Sequence, residues 1–140
     1  MEMIYSKVLP GKLLHVIKRL SDIESQKLLR EDIIPEDNFL QCSSLRLKAE
    51  RTFKPHKHIF KDRHHPRMIA QESWVVIRGS VLCTLYDLDD TIIARPILYA
   101  GDASFTLYGG HTYLILEDDT IVYEYKTGPY EGQKFDKTFI

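Results

Sequence analysis

The feature that most constrains the fold is a run of short stretches rich in β-branched and aromatic residues, each closed by a turn signal. "FLQCSSLRL" (39–47), "ESWVVIRG" (72–79), "SVLCTLYD" (80–87), "TIIARPILY" (91–99), "HTYLIL" (111–116) and "TIVYEYK" (120–126) follow one another. Between them stand "DLDD" (87–90), "AGDASFTLYGG" (100–110) and "EDD" (117–119). Strands of this kind at spacings of roughly 8–12 residues predict an all-β sandwich or barrel. The stretches 72–79 and 80–87 abut, and they are expected to pair as a hairpin. "KLLHVIKRL" (12–20) reads as a short strand and "SDIESQKLLRED" (21–32) as a loop or helical turn, a short irregular or helical N-terminal segment. Past "KTGPY" (126–130) the polar, Gly/Pro-marked tail is expected to wrap the body without adding core.

With 140 residues, one domain spanning 1–140 is the expectation. A formal net charge of -1, with no basic surplus, argues against a nucleic-acid partner. No apolar run approaches the ~20 residues of a membrane helix, so no membrane partner is expected. "MEMIYSKVLPGK" lacks the apolar run and small-residue cleavage site of a secretory signal, which points to a cytoplasmic protein. Two cysteines, Cys42 and Cys83, make no disulfide framework; in strand-like stretches they read as small hydrophobes.

Within this pattern "FKPHKH" (53–58) places two histidines one residue apart. Side chains on a strand alternate between faces, so His56 and His58 project to one side and Lys57 to the other. Pro55 suits the entry to such a strand, having no N–H for a ladder. Glu72 opens a strand on which Trp74 and Val76 share its face, with apolar residues on the opposite face as well. A carboxylate placed there needs a counter-charge. In "YGGHTY" (108–113) two glycines precede His111, which begins a strand with Tyr113 and Ile115 on its own face. Three imidazoles and a carboxylate from three strands make a mononuclear metal site, with Zn, Fe, Ni, Mn and Co all compatible.

This arrangement resembles the cupin family. The first cupin motif is HxH, then Glu, then six residues and Gly; here "HKH", Glu72, "SWVVIR" and Gly79 follow in that order. The second motif runs from Gly to His and here reads "GDASFTLYGGH" (101–111). The chain is more narrowly similar to small WbuC-type cupins encoded with surface-polysaccharide genes. "FLQCSSLRLKAERTFKPHKH", "QESWVVIRG", "GDASFTLYGGH" and "KTGPYEGQKFDK" carry that likeness. The resemblance implies a double-stranded β-helix, or jelly-roll barrel, with ligands His56, His58, Glu72 and His111. It also implies a homodimer, for which residues 1–20 are the expected crossing segment. The chain departs from the pattern at Glu50, where Gly is usual, and in the thirteen residues 59–71 between His58 and Glu72.

Other candidates flank the site. Trp74 and Tyr113 share faces with Glu72 and His111 and are expected to wall a ligand pocket. Glu124 and Lys126, two apart on one strand, are expected at its rim, where they can pair. Lys61, Arg63 and Arg67 lie in a basic loop with His64 and His65, and Arg67 is a candidate for contacting an anionic ligand. His64 and His65 are adjacent and face opposite ways on any strand, so they share an ion poorly. His15 reads as structural. The expected function is a metal site that binds or processes a small sugar or sugar-nucleotide-like ligand. The alternatives are an Fe(II)-dependent dioxygenase and a non-catalytic ligand-binding or structural module.

Overall fold

The computed structural model describes residues 1–60 and 69–140, and strands dominate it. In chain order the elements are β1 (Glu2–Tyr5), β2 (Leu13–Ile17), α1 (Leu20–Ser25), β3 (Arg30–Asp32), β4 (Leu40–Leu47), β5 (His56–His58), β6 (Glu72–Arg78), β7 (Ser80–Tyr86), β8 (Ile92–Ala94), β9 (Ile97–Tyr99), β10 (Ala103–Thr106), β11 (Gly110–Ile115), β12 (Thr120–Thr127) and β13 (Lys137–Phe139). One sheet has the order β10-β6-β12-β4-β3. The other runs β13-β5-β11-β7-β8, with β9 also pairing β7. The pairings are antiparallel. The all-β expectation holds.

The period-two pattern decides what fills the space between the sheets. Leu45, Leu47, Trp74, Val76 and Val122 point inward from the first sheet, and Val81, Cys83, Tyr113 and Ile115 meet them from the second. Each is buried. Burying one such aliphatic side chain is worth about 1.5–3 kcal/mol, which makes this cluster the main source of stability. Cys42 and Cys83 are free and buried, and burial pushes both thiols up to about 11. On β6 only the Glu72/Trp74/Val76 face is fully buried; Ser73, Val75 and Ile77 are half-buried.

Three expectations from the sequence change. Residues 72–79 and 80–87 do form adjacent strands, but β6 and β7 belong to opposite sheets. A hairpin needs at least two loop residues, and only Gly79 separates them. Gly79 has φ 79, and a Cβ there would stand 3.0 and 3.1 Å from the Cβ and Cα of Thr120. Gly79→Ala is therefore expected to lower stability by at least about 2 kcal/mol, from backbone strain and overpacking together. Urea unfolding reads this directly; a change below about 0.5 kcal/mol would contradict the crossing described here.

The stretch 91–99 is two strands rather than one. Pro96 has no N–H to continue a ladder, so the chain breaks between β8 and β9 while its carbonyl accepts from Cys83 N at 2.9 Å. At the N-terminus β2 pairs β1 in a hairpin, and the helical turn is α1, whose Ile23 is fully buried. The tail also does more than wrap the body: after a 3-10 turn (Gln133–Phe135), β13 adds to the edge of β5 and Asp136 is buried. Among the described residues, no helix is long and apolar enough to cross a membrane.

Candidate metal centre

β5 is only three residues long, and its neighbours hold it in register. On one side His111 of β11 stands opposite His56, and on the other Lys137 and Phe139 of β13 stand opposite His58 and His56. The alternation sends His56 and His58 inward, where both are buried. Lys57 points out and pairs with Asp90 at 2.6 Å. β11 can approach because Gly110 has no side chain; a Cβ there would lie 3.2 Å from the His56 carbonyl oxygen. Glu50 has φ 64, a left-handed backbone conformation held here by a residue with a side chain.

Glu72 enters from the opposite sheet, at the start of β6. His111 Nε2 donates to its Oε1 at 3.1 Å, and His58 Nε2 lies 3.3 Å from its Oε2. The His56 and His111 ring centroids are 4.5 Å apart, and those of His56 and His58 5.4 Å. One donor atom from each of His56, His58, Glu72 and His111 lies within 4.8 Å of all the others, and all four residues are buried.

The electrostatics of this cluster are uneven. Burial, reinforced by His111 and Lys137, pushes the His56 imidazole down to about 4, so it is neutral. Its Nδ1 donates to the Lys54 carbonyl at 3.0 Å, which turns the Nε2 lone pair inward. Burial also opposes a charge on His58, but the Asp136 and Glu72 side chains beside it outweigh that and raise the ring to about 9. Burial would raise Glu72; the hydrogen bond from His111 and the His58 ring 3.3 Å away instead hold it well below the usual carboxylate range.

The donor set fits a divalent transition ion. His58 Nε2 is buried, faces Glu72 and has no hydrogen-bond partner among the described residues. A metal ion would satisfy that orphaned nitrogen and replace the proton as the counter-charge of Glu72. Two of the three rings are held from behind, as ligating imidazoles need, while His111 Nδ1 has no hydrogen-bond partner among the described residues. Lys54 orients His56, and His58 Nδ1 donates to the Asp136 carbonyl at 3.3 Å while the Asp136 carboxylate lies 3.5 Å away. Asp136 also accepts from Lys126 Nζ at 2.9 Å; against the effect of burial, His58 and Lys126 draw it down to about 2.

Beside the cluster opens a cavity of about 470 Å³, which His56 and Glu72 line together with Trp74, Tyr113, Glu124 and Lys126. Trp74 and Tyr113 stack at 4.0 Å between centroids, with Phe53 edge-on to Trp74 at 5.3 Å. Trp74 Nε1 donates to Glu124 Oε2 at 3.2 Å. Glu124 and Lys126 do face the cavity, but each has another partner. Glu124 pairs with Arg30 at 2.7 Å and Lys126 with Asp136. Burial and the Glu72 charge raise Glu124 even so. Arg67, like Lys61, Arg63, His64 and His65, lies outside the described residues. His15 is exposed on β2.

Sequence reasoning missed Arg30, Asp136 and Lys137. The "FDK" of 135–137 was in view, but a polar tail gives no periodic signal, and its partner strand lies roughly eighty residues upstream.

No protein-family model matches the sequence, and no curated protein is significantly similar to it. Solved structures are. The chain superposes on KdgF from Halomonas sp. with a TM-score of 0.55 at 18% identity, covering 73% of this chain and 80% of that one. It superposes on the capsular polysaccharide assembling protein CapF from Staphylococcus aureus with a TM-score of 0.64 at 16% identity, covering 79% of this chain and 31% of CapF. This chain thus spans about a third of CapF's length. A Klebsiella pneumoniae protein described as having a double-stranded β-helix domain gives 0.55 at 16% identity, over 74% of this chain and 78% of that one. At these identities the likeness is one of architecture, and the architecture is the all-β cupin fold, a double-stranded β-helix.

Proposed function

We propose that His56, His58, Glu72 and His111 together hold one divalent transition metal, Zn, Fe, Ni, Mn or Co, and that the cavity beside it receives a small sugar or sugar-nucleotide-like ligand. The observation that carries this is the set of four buried donors within 4.8 Å of one another, two of which, His56 and Glu72, line an open cavity. When bound, such an ion supplies a Lewis acid for ligand oxygens. The chain's own residues supply the rest of the site. Trp74, Tyr113 and Phe53 offer an aromatic wall for the apolar face of a sugar ring, and Glu124 and Lys126 offer polar contacts at fixed positions. The likeness to a protein named for capsular polysaccharide assembly supports a carbohydrate setting. Thermal-shift measurements with sugar nucleotides and free sugars test the ligand. Stabilisation of metal-loaded protein by members of the panel is expected; no shift across it would overturn the carbohydrate reading.

Metal affinity is expected to depend on pH. Without metal, His58 carries a proton up to about pH 9, and coordination must expel it. Affinity should therefore climb about tenfold per pH unit from neutrality towards pH 9 and then level off. Titration calorimetry in buffers of different ionisation enthalpy should show proton release at pH 7.5; none would contradict the protonation state described above.

We further propose a homodimer. The β1–β2 hairpin leaves Met3, Ile4, Tyr5, Leu14 and Ile17 exposed. A two-stranded hairpin is marginal by itself in water, so a second copy is the natural cover. Sedimentation at micromolar concentration should give a dimer, and a monomer at every concentration would remove the idea.

A further inference from the structure

Several of the charges that line the cavity are matched, whereas Glu36 is exposed and has no ion pair among the described residues. Arg30 is engaged by Asp32 at 2.9 Å and Glu124 at 2.7 Å, and Lys126 by Asp136 at 2.9 Å. Lys54 is exposed at the mouth, over the ring of Phe139. Lys137 differs. It is half-buried, it lines the cavity, and among the described residues no carboxylate lies in ion-pair range of it. Its Nζ instead stands 3.4 Å from His56 Nε2. Since His56 Nδ1 donates to the Lys54 carbonyl, Nε2 offers a lone pair, and the ammonium donates to it.

That contact uses the electron pair that a metal ion would take. Coordination by His56 must break it and leave Lys137 as an ammonium without a partner, beside an ion whose two positive charges are only half offset by Glu72. The inner end of the cavity would then carry surplus positive charge facing an aromatic wall. A single compact ammonium suits one carboxylate, whereas a di- or triphosphate calls for several donors in a fork.

We propose that Lys137 is a metal-gated anion anchor and that the ligand of this cavity is a small carboxylate of sugar-acid type, its carboxylate paired with the Lys137 ammonium released from His56. This rests on the metal reading above and narrows its ligand from sugars at large to acidic ones. Lys137 acts here in ligand binding, with no bond made or broken.

The test compares D-gluconate with its neutral counterpart sorbitol by titration calorimetry, on metal-loaded and metal-free wild-type protein and on Lys137→Met. Wild-type protein should bind metal first; if it does not, the metal reading fails, independently of the anchor. Metal-loaded wild type should then bind gluconate at least tenfold more tightly than sorbitol, and at least tenfold more tightly than metal-free protein does. Lys137→Met should take up metal as well as wild type or better, since a competing donor and a like charge are gone, and should lose the preference for gluconate. Metal-loaded wild type that ignores gluconate, or binds sorbitol equally, overturns the anchor. So does gluconate binding that Lys137→Met leaves unchanged, or metal binding that the variant weakens. Because a carboxylate can also bind the ion directly, the Lys137 variants decide the matter. Lys137→Gln, which keeps most of the length and removes the charge, serves if Lys137→Met does not fold, and an unchanged preference for gluconate in it overturns the anchor.

Discussion

Replacing His111 by alanine is expected to cut metal affinity by roughly 10²–10³-fold. Metal sites of this kind are worth about 10–16 kcal/mol, so an even share among four ligands is about 2.5–4 kcal/mol each. His111 is the most deeply buried of the three imidazoles, faces His56 across the β5–β11 ladder and donates to Glu72. Water can replace a lost ligand at an exposed site far more easily than here. Competition against a chromogenic chelator measures the change. Lys57→Ala is the matched control: that side chain lies between two candidate ligands in sequence but points away to Asp90, so less than about a threefold effect is expected. Equal losses from the two variants would mean that the paired strands β5 and β11 matter only as scaffold and would contradict ligation by His111.

The second large effect is expected at Asp136, which no metal would touch. Asp136→Ala removes the partner of Lys126, whose side chain is itself nine-tenths buried, and strips the support behind His58. Leaving one member of a buried ion pair costs about 3–5 kcal/mol. Loss of a group that orients a ligating imidazole costs a further 10–100-fold in metal affinity. Asp136→Asn separates the two roles, because it keeps the shape and removes the charge. With that charge gone, His58 loses one of the two partners that raise it, and the levelling-off of metal affinity with pH should move below pH 9. Denaturant unfolding and the affinity–pH profile read these outcomes. A destabilised variant with an unmoved profile would make Asp136 a packing residue with no hold on His58.

What the sequence disclosed and what it hid divide along a physical line. The alternation of His56 and His58 is a local property of any strand, so their common face was legible in three residues. Glu72 and His111 were legible from strand order and from the glycines before His111. The placement of β6 and β7 in opposite sheets was hidden, because local pattern says nothing about which sheet a strand joins; the one-residue gap at Gly79 was the available signal. The contribution of β13 was hidden for a different reason. Its residues are polar, and its importance comes from pairing with a distant strand and from burying Asp136 beneath His58. The partners of Glu124 and Lys126 were likewise unreadable: Arg30 and Asp136 lie far from them in sequence or across a turn, and two residues on one face looked like a pair.

Quantifying metal in protein purified without a histidine tag, by mass spectrometry against protein concentration, tests the central claim most directly. One equivalent of a divalent transition metal per chain is expected after loading and desalting, and none in the His58→Ala, His111→Ala double variant. Wild-type protein that retains no metal, or a double variant that retains as much as wild type, would contradict it.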